Sequence, residues 1–107
     1  MNEKLLEIIN HYGVMKQLKY LHTEYFELDE AIISAETHSD VDHIPPVKCD
    51  IKHIADEIAD IQVMLNQLKL YYGIDDSEIV GIMNYKIQRQ IGRIKSEELK
   101  NIKEEVI

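Results

Sequence analysis

Two pairs of acidic residues carry the clearest chemical signal in this chain. Glu24 and Glu27 form one pair, Glu57 and Asp60 form the other, and the acids within each pair are three residues apart. Residues at that spacing lie on one side of an α-helix, so each pair presents its carboxylates together. Carboxylate oxygens are the ligands that hard divalent cations such as Mg²⁺ prefer. The two pairs therefore predict a divalent metal site shared by two helices.

Each acidic pair lies beside an apolar stripe at helical spacing. The first stripe comprises Leu18, Leu21, Tyr25, Leu28 and Ile32, and the second comprises Ile51, Ile54, Ile58, Ile61, Leu65 and Leu68. Every acid directly precedes a stripe residue. Glu24 lies about 40–60° around the helix from Leu21 and Leu28, and Glu57 lies equally close to Ile54 and Ile61. If the stripes pack together, the four acids converge, and their mutual repulsion then requires a cation or protons.

Apolar residues recur at helical spacing along most of the chain, which predicts an all-α, four-helix-bundle-like fold. The first two helices are expected at about 3–11 and 14–35, with a break near Gly13. A loop is expected over 36–49, because this segment is rich in turn formers and contains the Pro45–Pro46 pair.

The second half of the chain predicts two further helices. Asp50 is a suitable N-cap for the third, which is expected to continue to Tyr72 and stop at Gly73. The segment 75–78 resembles a capping box and would open the fourth helix.

Length and composition indicate one acidic domain. The interpretation is a single helical domain over 1–107, with a core at about 14–94 and a charged helical tail at 95–107. The net charge of −8 argues against binding to nucleic acid or to anionic membranes. The lone Cys49 fits a reducing compartment, residues 1–9 do not resemble a signal peptide, and no apolar run approaches membrane-spanning length. A cytoplasmic protein is expected.

The predicted third helix is apolar on more than one face. Besides its stripe it carries Ala55, Ala59, Val63, Met64 and Leu70. A surface helix has one apolar face, and a chain of this size has few other helices to cover a second. We therefore expect a homodimer or homotetramer.

Basic residues on the predicted fourth helix suggest what the metal site would act on. Lys86, Arg89 and Arg93 form a basic stripe in an otherwise acidic protein. Basic side chains that face a metal cluster are suited to binding a triphosphate.

At this point a family resemblance emerges. The segment Thr23–Leu28, followed after a spacer by Glu57–Asp60, resembles the MazG-like all-α nucleoside triphosphate pyrophosphohydrolases. Their signature is Glu-Glu-x-x-Glu, a spacer, and Glu-x-x-Asp, and Thr23 stands where the first glutamate is expected. The segment Lys86–Ile91 is similar to the Lys- and Arg-bearing helix that follows in that family.

The resemblance implies a reaction and a set of roles. Family members are helical dimers or tetramers that hydrolyse a (deoxy)nucleoside triphosphate to the monophosphate and pyrophosphate, often as housecleaning of the nucleotide pool. Carried over by position, the catalytic residues and ligands for Mg²⁺, with Mn²⁺ as a substitute, are Glu24, Glu27, Glu57 and Asp60. Lys86 and Arg89 would bind the substrate phosphates.

The same residues admit plainer interpretations. The acids could be a solvated helix edge, with salt bridges to neighbouring basic side chains. Glu30 and Asp56 could be surface acids or groups behind the metal ligands. Lys86, Arg89 and Arg93 equally fit the wet side of an amphipathic helix.

The sequence also allows other kinds of site and function. The potential zinc ligands lack the tight spacing typical of zinc sites; they are His38, His43, Cys49 and His53. The tyrosines that could stack on a base, or belong to the core, are Tyr20, Tyr71, Tyr72 and Tyr85. A di-iron bundle requires Glu-x-x-His pairs, which this sequence lacks. The remaining alternative is a non-enzymatic helical oligomerisation or regulatory module.

Overall fold

Four α-helices make up the part of the chain that the structure describes. The computed structural model describes residues 1–42 and 47–106, and the side chains of 1–37 and 47–104. The helices are α1 (Asn2–Tyr12), α2 (Val14–Asp42), α3 (Lys48–Tyr71) and α4 (Asp76–Val106). Within the described ranges there is no strand, so the predicted all-α class is confirmed. None of the described helices is long and apolar enough to cross a membrane.

Two glycines separate helices at the predicted places. Gly13 and Gly73 have φ values of 86° and 66°, in the left-handed region that residues with a Cβ rarely adopt. The Gly13 N–H donates to the Ile9 carbonyl at 2.8 Å, and the Gly73 N–H donates to the Leu70 carbonyl at 3.2 Å. Each bond satisfies a carbonyl that the helix end would otherwise leave open.

The predicted end of the second helix is wrong. α2 continues through 36–42 to Asp42 and does not stop at Ala35. This stretch contains Ser, Thr and Asp but neither proline nor glycine. Such residues disfavour a helix by only about 0.7 kcal/mol each at most, which is too little to stop one. The Pro45–Pro46 pair lies outside the described residues.

The predicted start of the third helix is also wrong. α3 begins at Lys48 with Val47 in the N-cap position, so Asp50 lies in the first turn and is not the cap. A negative charge in the first turn still interacts favourably with the helix dipole.

The chain divides into two compact units, Met1–Gly73 and Ile74–Ile107. In the first unit, α2 and α3 are antiparallel neighbours. The start of α2 meets the end of α3, where Gln17 Nε2 donates to Gln67 Oε1 at 2.7 Å. α1 packs mainly against α3 and contributes Leu5 and Ile9 to the core.

The faces that α2 and α3 bury differ from the predicted apolar stripes. The buried residues of these two helices are Gln17, Ala31, Ala35, Glu57, Met64 and Gln67. Two of the five residues of the first predicted stripe and three of the six of the second are exposed instead, as for Tyr25 at 66% and Ile51 at 56%. Both helices are rotated by about one position, so that Gln17 and Glu57 take the places predicted for Leu18 and Ile58.

The observed face of α2 is made of small as well as large side chains. Ala31 and Ala35 are both buried on it. Leu21 and Leu28, which belong to both the predicted and the observed face, are half-buried. The cost is that larger apolar side chains such as Tyr25 stay in solvent.

The second unit consists of α4. One of its faces carries an apolar stripe at spacings of three and four residues, each member of which is 42–54% exposed: Val80, Met83, Ile87, Ile91 and Ile94. We refer to these five residues as the α4 stripe. Lys86 and Arg89 lie on a different side of the helix, both exposed.

Candidate metal centre

The rotation of α2 and α3 places acidic residues at the helix interface itself. Glu24 lies one heptad after Gln17 on α2, and Asp60 lies one heptad before Gln67 on α3. Because the helices are antiparallel, these two steps lead to the same level of the bundle. Glu57 lies three residues before Asp60 on α3, about one helical turn away, and is buried, with 8% of its surface exposed.

Three carboxylates come together at this level. Glu24, Glu57 and Asp60 each offer an oxygen, and these three oxygens lie within 4.8 Å of one another. Glu57 is buried, Glu24 is partly buried and Asp60 is exposed, so the cluster is closed on one side and open to solvent on the other. This arrangement could hold a cation and leave room for water or a ligand.

Two oxygens of the cluster lack a neighbour that would satisfy them. Glu24 Oε2 and Glu57 Oε2 are buried and have no hydrogen-bond partner among the described residues. The other Glu57 oxygen, Oε1, lies 3.4 Å from His53 Nε2, a side chain that is 61% exposed. A buried carboxylate oxygen without a partner is unfavourable, and a bound proton or metal ion removes that penalty.

The acids of the cluster also affect one another's ionisation. The pKa of Glu24 rises from its ordinary value of 4.5 to about 7. Burial is the largest cause, followed by the charges of Glu27 and Asp60, a hydrogen bond with Asp60, and the charge of Glu57. Without a cation, burial and the neighbouring charges therefore favour the protonated form of Glu24.

Glu27 stands at the edge of this cluster. It is exposed and is not among the three acids whose oxygens lie within 4.8 Å of one another. Its charge nevertheless raises the pKa of Glu24. With Glu57 it lines an open groove of about 280 Å³ between α2 and α3, which is otherwise lined by Glu30, Ala31, Ser34, Asp50 and His53.

Two residues that are adjacent in sequence to the acidic pairs bind other partners. Asp56 forms an exposed ion pair with Lys52, with Oδ1 2.8 Å from Nζ, so it acts as a surface acid. Thr23 donates its hydroxyl to the Lys19 carbonyl at 3.2 Å. Neither side chain joins the cluster.

The remaining predicted site residues are distributed as follows. Lys86 and Arg89 lie on α4, in the second unit, and the Arg89 guanidinium lies 6.0 Å from the centre of the Tyr85 ring. Cys49 is a free, exposed thiol. The side chains of His38 and His43 lie outside the described residues, so zinc binding by these residues stays untested.

Sequence reasoning missed several residues next to the acids. Ser34 and Asp50 line the groove, and Gln17 and Gln67 form a buried amide pair. A signal for the amide pair was present, because each glutamine lies seven residues from an acid of the cluster. Seven residues are close to two helical turns, which place such residues on the same face.

The comparisons with known proteins add no family assignment. No family model, curated protein or solved structure matches this chain.

Proposed function

We propose that this protein is a Mg²⁺-dependent nucleoside triphosphate pyrophosphohydrolase, which hydrolyses a (deoxy)nucleoside triphosphate to the monophosphate and pyrophosphate. The observation that carries the proposal is the meeting of Glu24, Glu57 and Asp60, two of which have a buried oxygen without a hydrogen-bond partner among the described residues. The resemblance to the MazG-like enzymes supplies the reaction, and with it a role in nucleotide-pool housecleaning in the cytoplasm.

The residues present fit a hard divalent cation. Glu24, Glu57 and Asp60 offer only oxygen ligands, and the exposed side of Asp60 leaves room for the waters and substrate phosphates that Mg²⁺ retains. Bound Mg²⁺, or Mn²⁺ in its place, would neutralise phosphate charge and lower the pKa of a water molecule.

Two acids are candidates for taking the proton of the attacking water. Glu24 belongs to the cluster itself, and a bound cation would lower its raised pKa. Glu27 is exposed at the edge of the cluster. A general base must lie within reach of the water. Lys86 and Arg89 are proposed to bind the phosphates, on the strength of the sequence resemblance.

The proposed enzyme is a homodimer or homotetramer. Two observations support an oligomer. The α4 stripe is exposed, and so are several residues of the predicted stripes on α2 and α3. Contiguous exposed apolar surface favours association. The same observations favour the alternative function, a non-enzymatic oligomerisation or regulatory module. A requirement for a metal distinguishes the two functions, because the enzyme needs Mg²⁺ and the non-enzymatic module does not.

A panel of nucleoside triphosphates, incubated with Mg²⁺, tests the reaction directly. We expect at least one to yield its monophosphate together with pyrophosphate, and the yield to vanish when Mg²⁺ is removed with a chelator. Absence of hydrolysis across the panel, together with no effect of Mg²⁺ on the melting temperature, would favour the non-enzymatic module.

The first variant to test is Glu57→Gln, which keeps the shape of the side chain and removes its charge. We expect kcat/KM to fall by more than about 100-fold, because even residues behind a metal ligand typically account for 10–100-fold. Asp29→Asn is the matched control, since Asp29 is an exposed acid on α2 outside the cluster. Equal activity of both variants would contradict a catalytic role for the cluster.

A further inference from the structure

The hydrogen bond between Gln17 and Gln67 is unusual for its position in the core. The two residues are only 4% and 1% exposed, and Gln17 Nε2 donates to Gln67 Oε1 at 2.7 Å. Both amides also lie near the Met64 sulfur, with Nε2–Sδ distances of 3.9 and 3.8 Å. An apolar pair of the same size would avoid the desolvation of two amides.

The pair is also incompletely satisfied. Gln17 Oε1 is buried and has no hydrogen-bond partner among the described residues. A buried acceptor without a partner is unfavourable, so the pair is poorly suited to be a source of stability. Buried polar pairs of this kind are best known for fixing the register of paired helices.

The rest of this interface is held by contacts that have no fixed direction. The other residues that α2 buries are Ala31 and Ala35, and Leu21 and Leu28 are half-buried on the same face. The neighbouring acids repel each other when they are ionised. A hydrogen bond is directional, and a slip of one turn, about 5.4 Å, would break it.

We propose that the Gln17–Gln67 pair sets the register of α2 against α3 and thereby holds Glu24 level with Asp60. Gln17 lies seven residues before Glu24 and Gln67 seven residues after Asp60, so any slip that separates the glutamines separates the two acids as well. Both glutamines are positioning residues, because they lie outside the acidic cluster. The consequence for metal binding rests on the proposed function, whereas the register itself does not.

The test replaces both amides with a side chain of similar shape, in the variant Gln17→Met with Gln67→Met. Spin labels at Lys19→Cys and Ala59→Cys, both exposed positions, report the distance between α2 and α3 in a Cys49→Ser background. Dilution with unlabelled protein removes distances between chains. The matched control is Gln62→Met, at an exposed position of α3.

We expect one narrow distance peak in the parent and in the control. The double variant should show a broadened or second peak, displaced by about 5 Å, and a melting temperature no lower than that of the control. A single peak at the parent distance would overturn the proposal. A lower melting temperature or failure to fold would overturn it too, since the pair would then be a stabilising contact.

Mn²⁺ titration of the same unlabelled proteins measures the consequence for the site. We expect the double variant to bind Mn²⁺ about tenfold more weakly than Gln62→Met, as for other residues that orient metal ligands. If the parent binds no Mn²⁺, the proposed function fails, and the distance measurement still decides the register. If the register shifts without any loss of Mn²⁺ affinity, the positioning role of the pair is wrong.

Discussion

Among the described residues, Glu24 is the one whose pKa changes clearly when the chain folds. Its pKa is 4.5 ordinarily and about 7 in the folded protein. Between these values the folded state keeps a proton that the unfolded state has lost, so the free energy of unfolding falls as the pH rises through this window. At about 1.4 kcal/mol for each pKa unit, the loss has an upper bound of about 3.5 kcal/mol, and solvent on the open side of the cluster reduces it.

Urea unfolding at pH 5 and pH 8, without divalent cations, measures this effect. We expect the protein to be less stable at pH 8, and Glu24→Gln to lose most of the difference because it cannot ionise. Asp29→Asn should keep the pH dependence of the parent. Saturating Mg²⁺ at pH 8 should restore stability to the parent alone, and an identical pH dependence in the parent and Glu24→Gln would refute the assignment.

The second helix illustrates how an element extends beyond its local sequence signals. α2 continues past Ala35 through a stretch that favours turns, and Ala35 itself is almost fully buried, at 1% exposed. The helix is packed up to Ala35, and the weak preference of Ser, Thr and Asp for other conformations does not end it there. Glu27 and Glu30, which line the groove, therefore lie on one continuous helix.

Glu36→Pro tests this continuity. Inside a helix, proline removes one hydrogen bond and clashes with the carbonyl four residues earlier, so we expect a loss of about 3 kcal/mol in the free energy of unfolding. Glu36→Ala, which any helix accepts, should cause little change. If the two variants are equally stable in thermal and urea unfolding, α2 ends where the sequence predicted.

On the scale of the whole molecule, a single chain leaves apolar side chains of α4 exposed to solvent. The five residues of the α4 stripe are each 42–54% exposed. Burying the exposed part of each side chain contributes about 1 kcal/mol, so an interface along this stripe is favourable before any other contact is counted. Association of chains is the simplest way to remove this surface from water.

Sedimentation velocity or light scattering tests the association. We expect the parent to be a dimer or tetramer, and Ile87→Asp with Ile91→Asp to be a monomer, because two charges would be buried at the interface. Gln88→Asp with Ser96→Asp adds the same charge to α4 away from the stripe and should leave the assembly intact. A monomeric parent would contradict the oligomer.

Sequence reasoning predicted the helical class correctly but not the face on which the helices pack. Leu21 and Leu28 fit both the predicted and the observed face, so helical spacing alone could not separate the two. The observed face also includes Ala31, which is buried, and Gln17, which is buried and has a hydrogen-bond partner on α3. Neither property is visible in the spacing of apolar residues.

What the sequence determined by itself is local: the breaks at Gly13 and Gly73, and the three-residue spacing that puts the acids of each pair on one side of a helix. These follow from backbone sterics and helical geometry, which act over a few residues. Only the tertiary structure decided that Glu57 is buried beside Glu24, while Glu27 stays at the edge. That outcome depends on how two helices rotate and slide against each other, and side chains far apart in the chain determine it together.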